Sequence, residues 1–596
     1  MSQRENRNAL VLGTAAATLA SLAIAGILVG IILTLALTKG TILPVSDEAR
    51  LGPIAQKLHS GSLTFGDLWA PNNEHRILPS KIIGATIIHF TEWNRVGHLL
   101  VALGLVAMSA AFFLRAAWLT IAWKPAALVC GPVFLALSFS LTRYGNWGVP
   151  YTDKIPTVLG IAISTWALAQ PPGRSHLVLA ATGATIASVS SLGGFMVWVA
   201  FVPVILASWG RRFLLWWMLT AVVLAGIYFV DYTPQSGNPP VDAVPLPFAR
   251  RVTSLLAYLG APIGGEPFLL NVAVGLASVL VAGAVYAALA PIVRVNSSLI
   301  RPVLLWTGVA SFAMGTGIAI IAGRATAFGE GVSTESRFHA FSSLWLMALT
   351  ALTALLISVI KVEVPDRLQG SKTLRFGASG AAICLLVLLS VGFVHANVTA
   401  RHSAITFLDY YQQGEGCAIN PVPASEACLR VFMYSEPEAE RETLSYLQAN
   451  LKGVYANPIN VSVSGTPPAL PLNELGPKAS IFSCSSDARR RPPGEFSDSL
   501  ITAACQRVMG SRWPTQPLTL DPLNNRRLCL VDDWGRWGKR LEIDSTSWCA
   551  VEWFDPDLQA VSLVHLDSNV VLHAFPNGTV RPYVDGETVR RTKARS

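Results

Sequence analysis

The stretch ALVLGTAAATLASLAIAGILVGIILTLAL, Ala9–Leu37, decides the fold. It carries no charge, and a helix rising ~1.5 Å per residue crosses a ~30 Å hydrocarbon layer in roughly 20 residues. The apolar core of a signal peptide spans only ~7–15 residues, so this run reads as an anchor that stays in the membrane. Further runs lie at Val96–Trp118, Pro125–Leu141, Ile155–Ala169, His176–Ser190, Gly194–Trp209, Phe213–Val230, Pro267–Val293, Pro302–Ala322, His339–Ile360 and Phe376–His395. The chain has 596 residues, of which 52% are apolar and only 14% charged, against about 25% charged in soluble domains. That shortfall excludes an ordinary soluble enzyme, a disordered chain and a fibre. The runs predict a polytopic α-helical membrane protein with about 11 transmembrane helices, followed by a domain without such runs.

Orientation follows from the excess of Lys and Arg on cytoplasmic loops. With Arg4 and Arg7 inside, alternate connections hold Arg115 and Lys124, then Arg174, then Arg211 and Arg212, then Arg294 and Arg301, and last Lys361, Arg367, Lys372 and Arg375. Topology therefore accounts for the net charge of +9, and a nucleic-acid partner is not expected. An odd number of crossings leaves the tail, 396–596, outside. Cysteine usage agrees, because Cys417, Cys428, Cys484, Cys505, Cys529 and Cys549 all fall in that tail. An even set there fits an oxidising compartment and up to three disulfides, with Cys417–Cys428 the most local of the fifteen possible pairings. Zinc is the rival reading, but no CxxC or Cys/His spacing suited to it occurs. In the tail, Pro437–Leu451 reads as a helix, the later segments alternate, and Asn577-Gly578 is a hairpin turn signal. A C-terminal exported α+β or β-rich domain is expected.

The ionisable residues gather on the outer loops, 39–81, 142–154, 231–266 and 323–338. In the first, Val45, Ala49, Leu51, Ile54, Ala55 and Leu58 recur at helical spacing and suggest an amphipathic helix along the membrane surface, with Ser46 as N-cap. Asp47 and Glu48 then occupy its first turn, where a carboxylate either serves as general base or complements the helix dipole. The loop goes on to FGDLWAPNNEHRILPSK with Glu74, His75 and Arg76. These three suit an anionic group, an acceptor hydroxyl or a divalent cation such as Mg or Mn; a network of loop salt bridges is the structural alternative. The loop TRYGNWGVPYTDKIP holds Arg143, Asp153 and Lys154, and the stretch from Asp231 to Glu266 becomes amphipathic over Ala249–Tyr258. GRATAFGEGVSTESRFHAF carries Arg324, Arg337 and His339. An arginine fork pairs well with phosphate oxygens, whether of a substrate or of a lipid headgroup. A coupled transporter would show acids or His within its helices near the midplane, and that pattern is missing. GTGIAIIAG at 315–323 lies inside an apolar run with no strand before it, so it is not a dinucleotide loop. No Walker sequence, HExxH or GxSxG elbow occurs.

The layout resembles the GT-C glycosyltransferases, which include the protein O-mannosyltransferases, the lipid A aminoarabinose transferases and the oligosaccharyltransferase catalytic subunits. The resemblance covers 1–395 and rests on the long first helix, the acidic start of the first outer loop, the many helices and the exported C-terminal domain. WAPNNEHRILPSKII and GRATAFGEGVSTESRFHAF are similar to segments of bacterial GT-C-like membrane proteins. The resemblance implies an inverting enzyme that moves a sugar from a polyprenyl-phosphate donor to an acceptor hydroxyl of an envelope glycan, lipid or protein. It implies a bacterial cytoplasmic membrane location, with the tail periplasmic or extracellular. It puts the base at Asp47 beside Glu48, a further acid at Asp153 with Lys154 next to it, and lipid-phosphate binding at Arg324 and Arg337, with His339 adjoining. No WWD-type sequence occurs, which argues against amide-linked protein glycosylation, and the tail resembles none of the named subgroups. A polysaccharide polymerase, ligase or flippase is the alternative reading, and a non-catalytic membrane scaffold or receptor is another.

Overall fold

The computed structural model describes residues 3–40, 44, 46–72, 75–91, 93–148, 154–232, 246–265, 267–325, 330–362, 372–413 and 443–447, and several short strands between 470 and 582 as backbone. The chain divides into two units, 1–40 with 54–408 and 41–53 with 409–596. In chain order the helices are α1 (Gln3–Lys39), α2 (Leu51–His59), α3 (Phe65–Trp69), α4 (Leu78–Thr91), α5 (Arg95–Thr120), α6 (Lys124–Ser138), α7 (Tyr144–Trp147), α8 (Lys154–Ala169), α9 (Arg174–Ser190), α10 (Met196–Ala200), α11 (Val202–Trp209), α12 (Arg211–Phe229), α13 (Phe248–Gly264), α14 (Phe268–Val295), α15 (Ile300–Ile320), α16 (His339–Val362) and α17 (Lys372–Gln413).

Among the described residues, nine helical segments are long and apolar enough to cross a membrane. The protein is thus a membrane-embedded helical bundle. The expected count of about 11 narrows to nine because α8 and α9, although helical as expected, have only 16 and 17 residues. At ~1.5 Å per residue, α8 is about 24 Å long, less than the ~30 Å hydrocarbon layer. Its sides are almost wholly buried, as befits a helix enclosed by others. α4 is an addition that the sequence reading does not contain.

α16 is the central helix. It is apolar around its whole circumference and buried along nearly its full length, the pattern of a helix enclosed on all sides. α6, α13, α14 and α15 pack around it. On the outside, α12 exposes Leu215, Trp216, Leu219, Val222, Val223 and Ile227, a face suited to lipid. Lipid tails supply no hydrophobic drive for helices to associate, so small residues and interhelical hydrogen bonds must do so. Trp217 Nε1 donates to Trp198 O at 2.8 Å, Trp198 Nε1 to Ser188 Oγ at 2.9 Å, Trp345 Nε1 to Ser278 Oγ at 2.9 Å and Trp306 Nε1 to Thr120 Oγ1 at 3.0 Å.

α8 and α9 meet backbone to backbone. A Cβ built on Gly160 would overlap the Gly183 carbonyl, and one on Gly183 would lie 2.6 Å from Ser164 Oγ. Gly160→Val therefore forces the two helices apart and should cost about 1–3 kcal/mol or more. Gly104→Ala in α5, where nothing lies within 4 Å of the added atom, is the control. A thermal midpoint in detergent that falls for Gly160→Val and holds for Gly104→Ala is the expected result.

In the second unit, residues 443–447 are helical, inside the segment Pro437–Leu451 read as a helix, and Thr443 fills the space a Cβ on Gly52 would need. Antiparallel strands run Trp537–Ile543, Thr546–Glu552, Val561–His565, Val571–Ala574 and Thr579–Pro582, each paired with the next. The turn Asn577-Gly578 lies outside the described residues, between the last two of these strands. Cys417, Cys428, Cys484 and Cys505 also lie outside them, and Cys529 and Cys549 are described as strand backbone.

Candidate functional site

The first outer loop is built by capping. Thr64 is the N-cap of α3: its Oγ1 accepts from the Asp67 N–H at 3.3 Å, and the Asp67 carboxylate accepts from Thr64 N at 2.9 Å, a reciprocal capping box. Lys57 of α2 pairs with the same carboxylate. Hydrogen bonds from Lys57 and then from Thr64 hold the Asp67 carboxyl well below the usual carboxylate range. Asp67 thus contributes its stability above the ordinary carboxylate pKa and loses it only as pH falls through that lowered value. Lys81 Nζ donates to Ala70 O at 2.7 Å and to Asp67 O at 3.2 Å, tying α4 to the end of α3.

Asn72 and His75 then close a tight turn, with Asn72 N donating to His75 O at 2.6 Å and His75 N to Asn72 O at 3.0 Å. Arg76 follows, 3% exposed. Its Nε donates to Tyr228 O at 2.7 Å, its Nη1 to Trp69 O at 2.6 Å and its Nη2 to Val230 O at 2.7 Å. The guanidinium lies 4.9 Å from the Trp69 ring and 5.9 Å from both Tyr228 and Tyr232, within cation–π range. Burial raises the Tyr232 phenol above its ordinary pKa, opposed by the charge of Arg76. Every guanidinium nitrogen of Arg76 is spent on a main-chain carbonyl, so this residue fastens the loop to the end of α12. Arg76 is held by carbonyls and aromatic rings, and the loop also carries the Lys57–Asp67 ion pair.

A second polar cluster forms at one end of the bundle. After α6 the chain turns through Leu141–Arg143 into α7, so the start of the expected loop 142–154 is helical. Asn397 of α17 fixes that turn: its Oδ1 accepts from Leu141 N at 2.7 Å and Ser140 Oγ at 3.2 Å, and its Nδ2 donates to Phe393 O at 2.8 Å. The turn packs on the short helix Ser336–Phe338. Gly145 N donates to Ser336 Oγ at 3.1 Å, and Asn146 Nδ2 reaches Ser336 O at 3.3 Å and Arg337 O at 3.2 Å. Arg337 pairs with Glu335 and lies 5.0 Å from the Phe338 ring, whose other neighbour is Lys154 Nζ at 5.9 Å. His339 is buried, with Nε2 3.0 Å from Thr334 O. Arg95 joins from the head of α5, its Nη2 donating to Gly148 O at 2.7 Å.

Of the residues the sequence singled out, Lys154, Arg337 and His339 are thus brought together. His75 and Arg76 form the separate loop anchor. Arg324 sits on a π-turn, Ile321–Ala325, described by its backbone. Asp47 and Glu48 lie in a 3-10 helix, Ser46–Arg50, of the second unit. Glu74 and Asp153 lie outside the described residues. Arg95, Arg143, Asn146 and Asn397 belong to the cluster without having been assigned a role from sequence. Among the described residues no three His, Cys, Asp or Glu side chains gather where they could hold a metal ion.

Arg95, Arg143, Lys154 and Arg337 stand at one end of the apolar bundle, and Arg337 pairs there with Glu335. Guanidinium and ammonium groups at such an edge suit an anion. No family model, no curated protein and no solved structure matches the chain.

Proposed function

We propose that the protein is a GT-C-type glycosyltransferase that moves a sugar from a polyprenyl phosphate to an acceptor hydroxyl at the outer face of a bacterial cytoplasmic membrane. The observation that carries this reading is the gathering of Arg95, Arg143, Lys154 and Arg337 at one end of a membrane-embedded bundle. A lipid-borne phosphate is the anion that an apolar bundle meets by lateral diffusion. Nine crossings and eleven are both odd, so either count puts the tail opposite a cytoplasmic N-terminus. There it forms an α+β or β-rich domain that its cysteines cross-link.

In the proposed reaction the acceptor oxygen bonds to the anomeric carbon while its proton passes to Asp47. The bond from that carbon to the phosphate oxygen breaks, and the electron pair leaves with the polyprenyl phosphate. Arg337, backed by Glu335 and Phe338, and Arg324 stabilise the charge that grows on the leaving oxygen. His339 holds the turn on which Arg337 stands, through its contact with Thr334. Glu74 and His75 take the acceptor side. The acceptor is an envelope glycan, lipid or protein.

The test uses the full-length protein in membranes, supplied with radiolabelled polyprenyl-phosphate sugars. Wild-type membranes should transfer label to an acceptor fraction. Arg337→Ala should lower kcat/KM for the donor about tenfold or more, since a hydrogen bond to a charged group is worth roughly 1.5–3 kcal/mol. Unchanged donor kinetics in Arg337→Ala remove the phosphate role, and a wild type inert with every donor removes the activity.

A further inference from the structure

We propose that Arg174, Arg211 and Arg212 hold the phosphate of an anionic phospholipid at the end of the bundle opposite the cluster of Arg95, Arg143, Lys154 and Arg337. This goes beyond the transferase reading and does not depend on it. α8 starts at Lys154 and runs about 24 Å, which carries its last turn to that far end. There Arg301 Nη2 donates to Leu168 O at 2.7 Å, and its guanidinium lies 5.3 Å from the Trp209 ring. Trp209 Nε1 in turn donates to Gly173 O at 3.3 Å. One indole thus ties the α8–α9 connection to the α11–α12 connection and to the head of α15. Arg301 is committed to this scaffold.

The three arginines beside it are free. Gly210, with φ at +83°, takes a conformation that residues with a Cβ rarely adopt, and it alone separates α11 from α12. Arg211 and Arg212 are therefore the first two residues of α12, and Arg174 is the first of α9. All three side chains are exposed, and among the described residues no carboxylate pairs with them. The bias of Lys and Arg toward one side of a membrane puts basic residues in these connections, but it does not choose between the end of one helix and the start of the next. The helix dipole does choose, and it favours cations at C-termini over N-termini. α9, α12 and α15 begin with neither a side-chain cap nor an acid in the first turn. Dipoles and guanidinium groups thus add to one positive field, which a phosphate answers, and the arginine fork matches phosphate oxygens.

The exposed faces below the arginines decide the source of that phosphate. Arg212 heads an exposed stripe of α12 with Trp216, Leu219 and Val223, and Arg174 heads one of α9 with Val178 and Thr182. A guanidinium one turn beyond an interfacial Trp stands at headgroup level, and acyl chains cover the stripes beneath it. A soluble phosphate has nothing to lay on these faces.

The test is native mass spectrometry of the full-length protein in a nonionic detergent, titrated with phosphatidylglycerol or with phosphatidylcholine of the same acyl chains. A basic residue at a membrane surface is worth roughly fivefold in affinity for anionic lipid. Three of them predict a preference for phosphatidylglycerol on the order of 100-fold. Arg174→Gln, Arg211→Gln and Arg212→Gln should each lower that preference about fivefold, and the triple variant should abolish it. Arg115→Gln makes the same charge change at the same end of the bundle, beside Lys124, and should leave the preference intact. The comparison of the two lipids on the wild type needs no variant, so a misfolded triple variant leaves the test standing. Equal binding of the two lipids, a preference that survives the three substitutions, an equal loss in Arg115→Gln, or displacement of the lipid by millimolar inorganic phosphate would each overturn the proposal.

Discussion

Asp47→Asn should slow sugar transfer about 10²–10⁴-fold, the range that a positioned general base contributes, while the protein still folds and enters the membrane. The substitution keeps the shape of the side chain and its capacity to accept a hydrogen bond, and removes the negative charge and with it the ability to take a proton. Asp47 is half-buried in the first turn of the 3-10 helix Ser46–Arg50. If the carboxylate merely complemented the dipole of that turn, Asp47→Asn would cost a few tenths of a kcal/mol of stability, roughly 0.3–1 kcal/mol at most, and leave the rate alone. The two roles therefore differ in which quantity moves. Glu48 supplies the contrast, being 1% exposed: Glu48→Gln alters a buried contact and should show first in the unfolding midpoint. Measuring kcat and the midpoint for both variants separates the roles, and a full-rate Asp47→Asn would remove the base.

The bundle was largely legible because hydropathy is read locally. A run such as Ala9–Leu37 states its environment without reference to any other part of the chain. α4 escaped because Leu78–Thr91 spans only 14 residues and follows a loop rich in Asn and Pro, so it resembles the end of that loop. Arg143 escaped for a related reason. It follows the apolar run Pro125–Leu141 directly, which reads as the start of a loop, whereas Leu141–Arg143 and α7 continue the helix and bury the guanidinium. A signal was present all the same: Arg95 and Arg143 stand at helix ends assigned to the outer face, where the bias of Lys and Arg toward the inside disfavours them. A cation retained there against that bias marks a contact worth its cost. Asn397 gave no such signal, since a single amide in an apolar run shows nothing of the turn at Ser140–Leu141 that it holds.

Arg76 shows what sequence pattern alone cannot separate. The order Glu-His-Arg in a loop is the same whether the guanidinium meets a phosphate or a set of carbonyls. Two of the deciding acceptors, Tyr228 O and Val230 O, lie more than a hundred residues away in the chain. Main-chain oxygens leave no trace in residue identity.

The same geometry makes Arg76→Ala a strongly damaging change. It strips the carbonyls of Trp69, Tyr228 and Val230 of their donor together, and each buried acceptor left unsatisfied costs roughly 1–3 kcal/mol. It also removes the cation from the rings of Trp69, Tyr228 and Tyr232, a contact worth about 0.5–2 kcal/mol. A loss near 3–5 kcal/mol is expected from the two terms together, discounted because solvent can reach the carbonyls at the loop edge. Arg76→Lys separates shape from charge. It restores the positive charge but cannot reach three carbonyls that diverge as the guanidinium fork does, so it should recover less than half of the loss. Limited proteolysis reads the local consequence: in Arg76→Ala the segment between α3 and α4 should be cut faster than in wild type, because its fastening to α12 is gone. Equal cutting rates and equal unfolding midpoints in Arg76→Ala and wild type would mean that the loop is held by the capping box at Thr64 and by Lys81, and that Arg76 is free for another role.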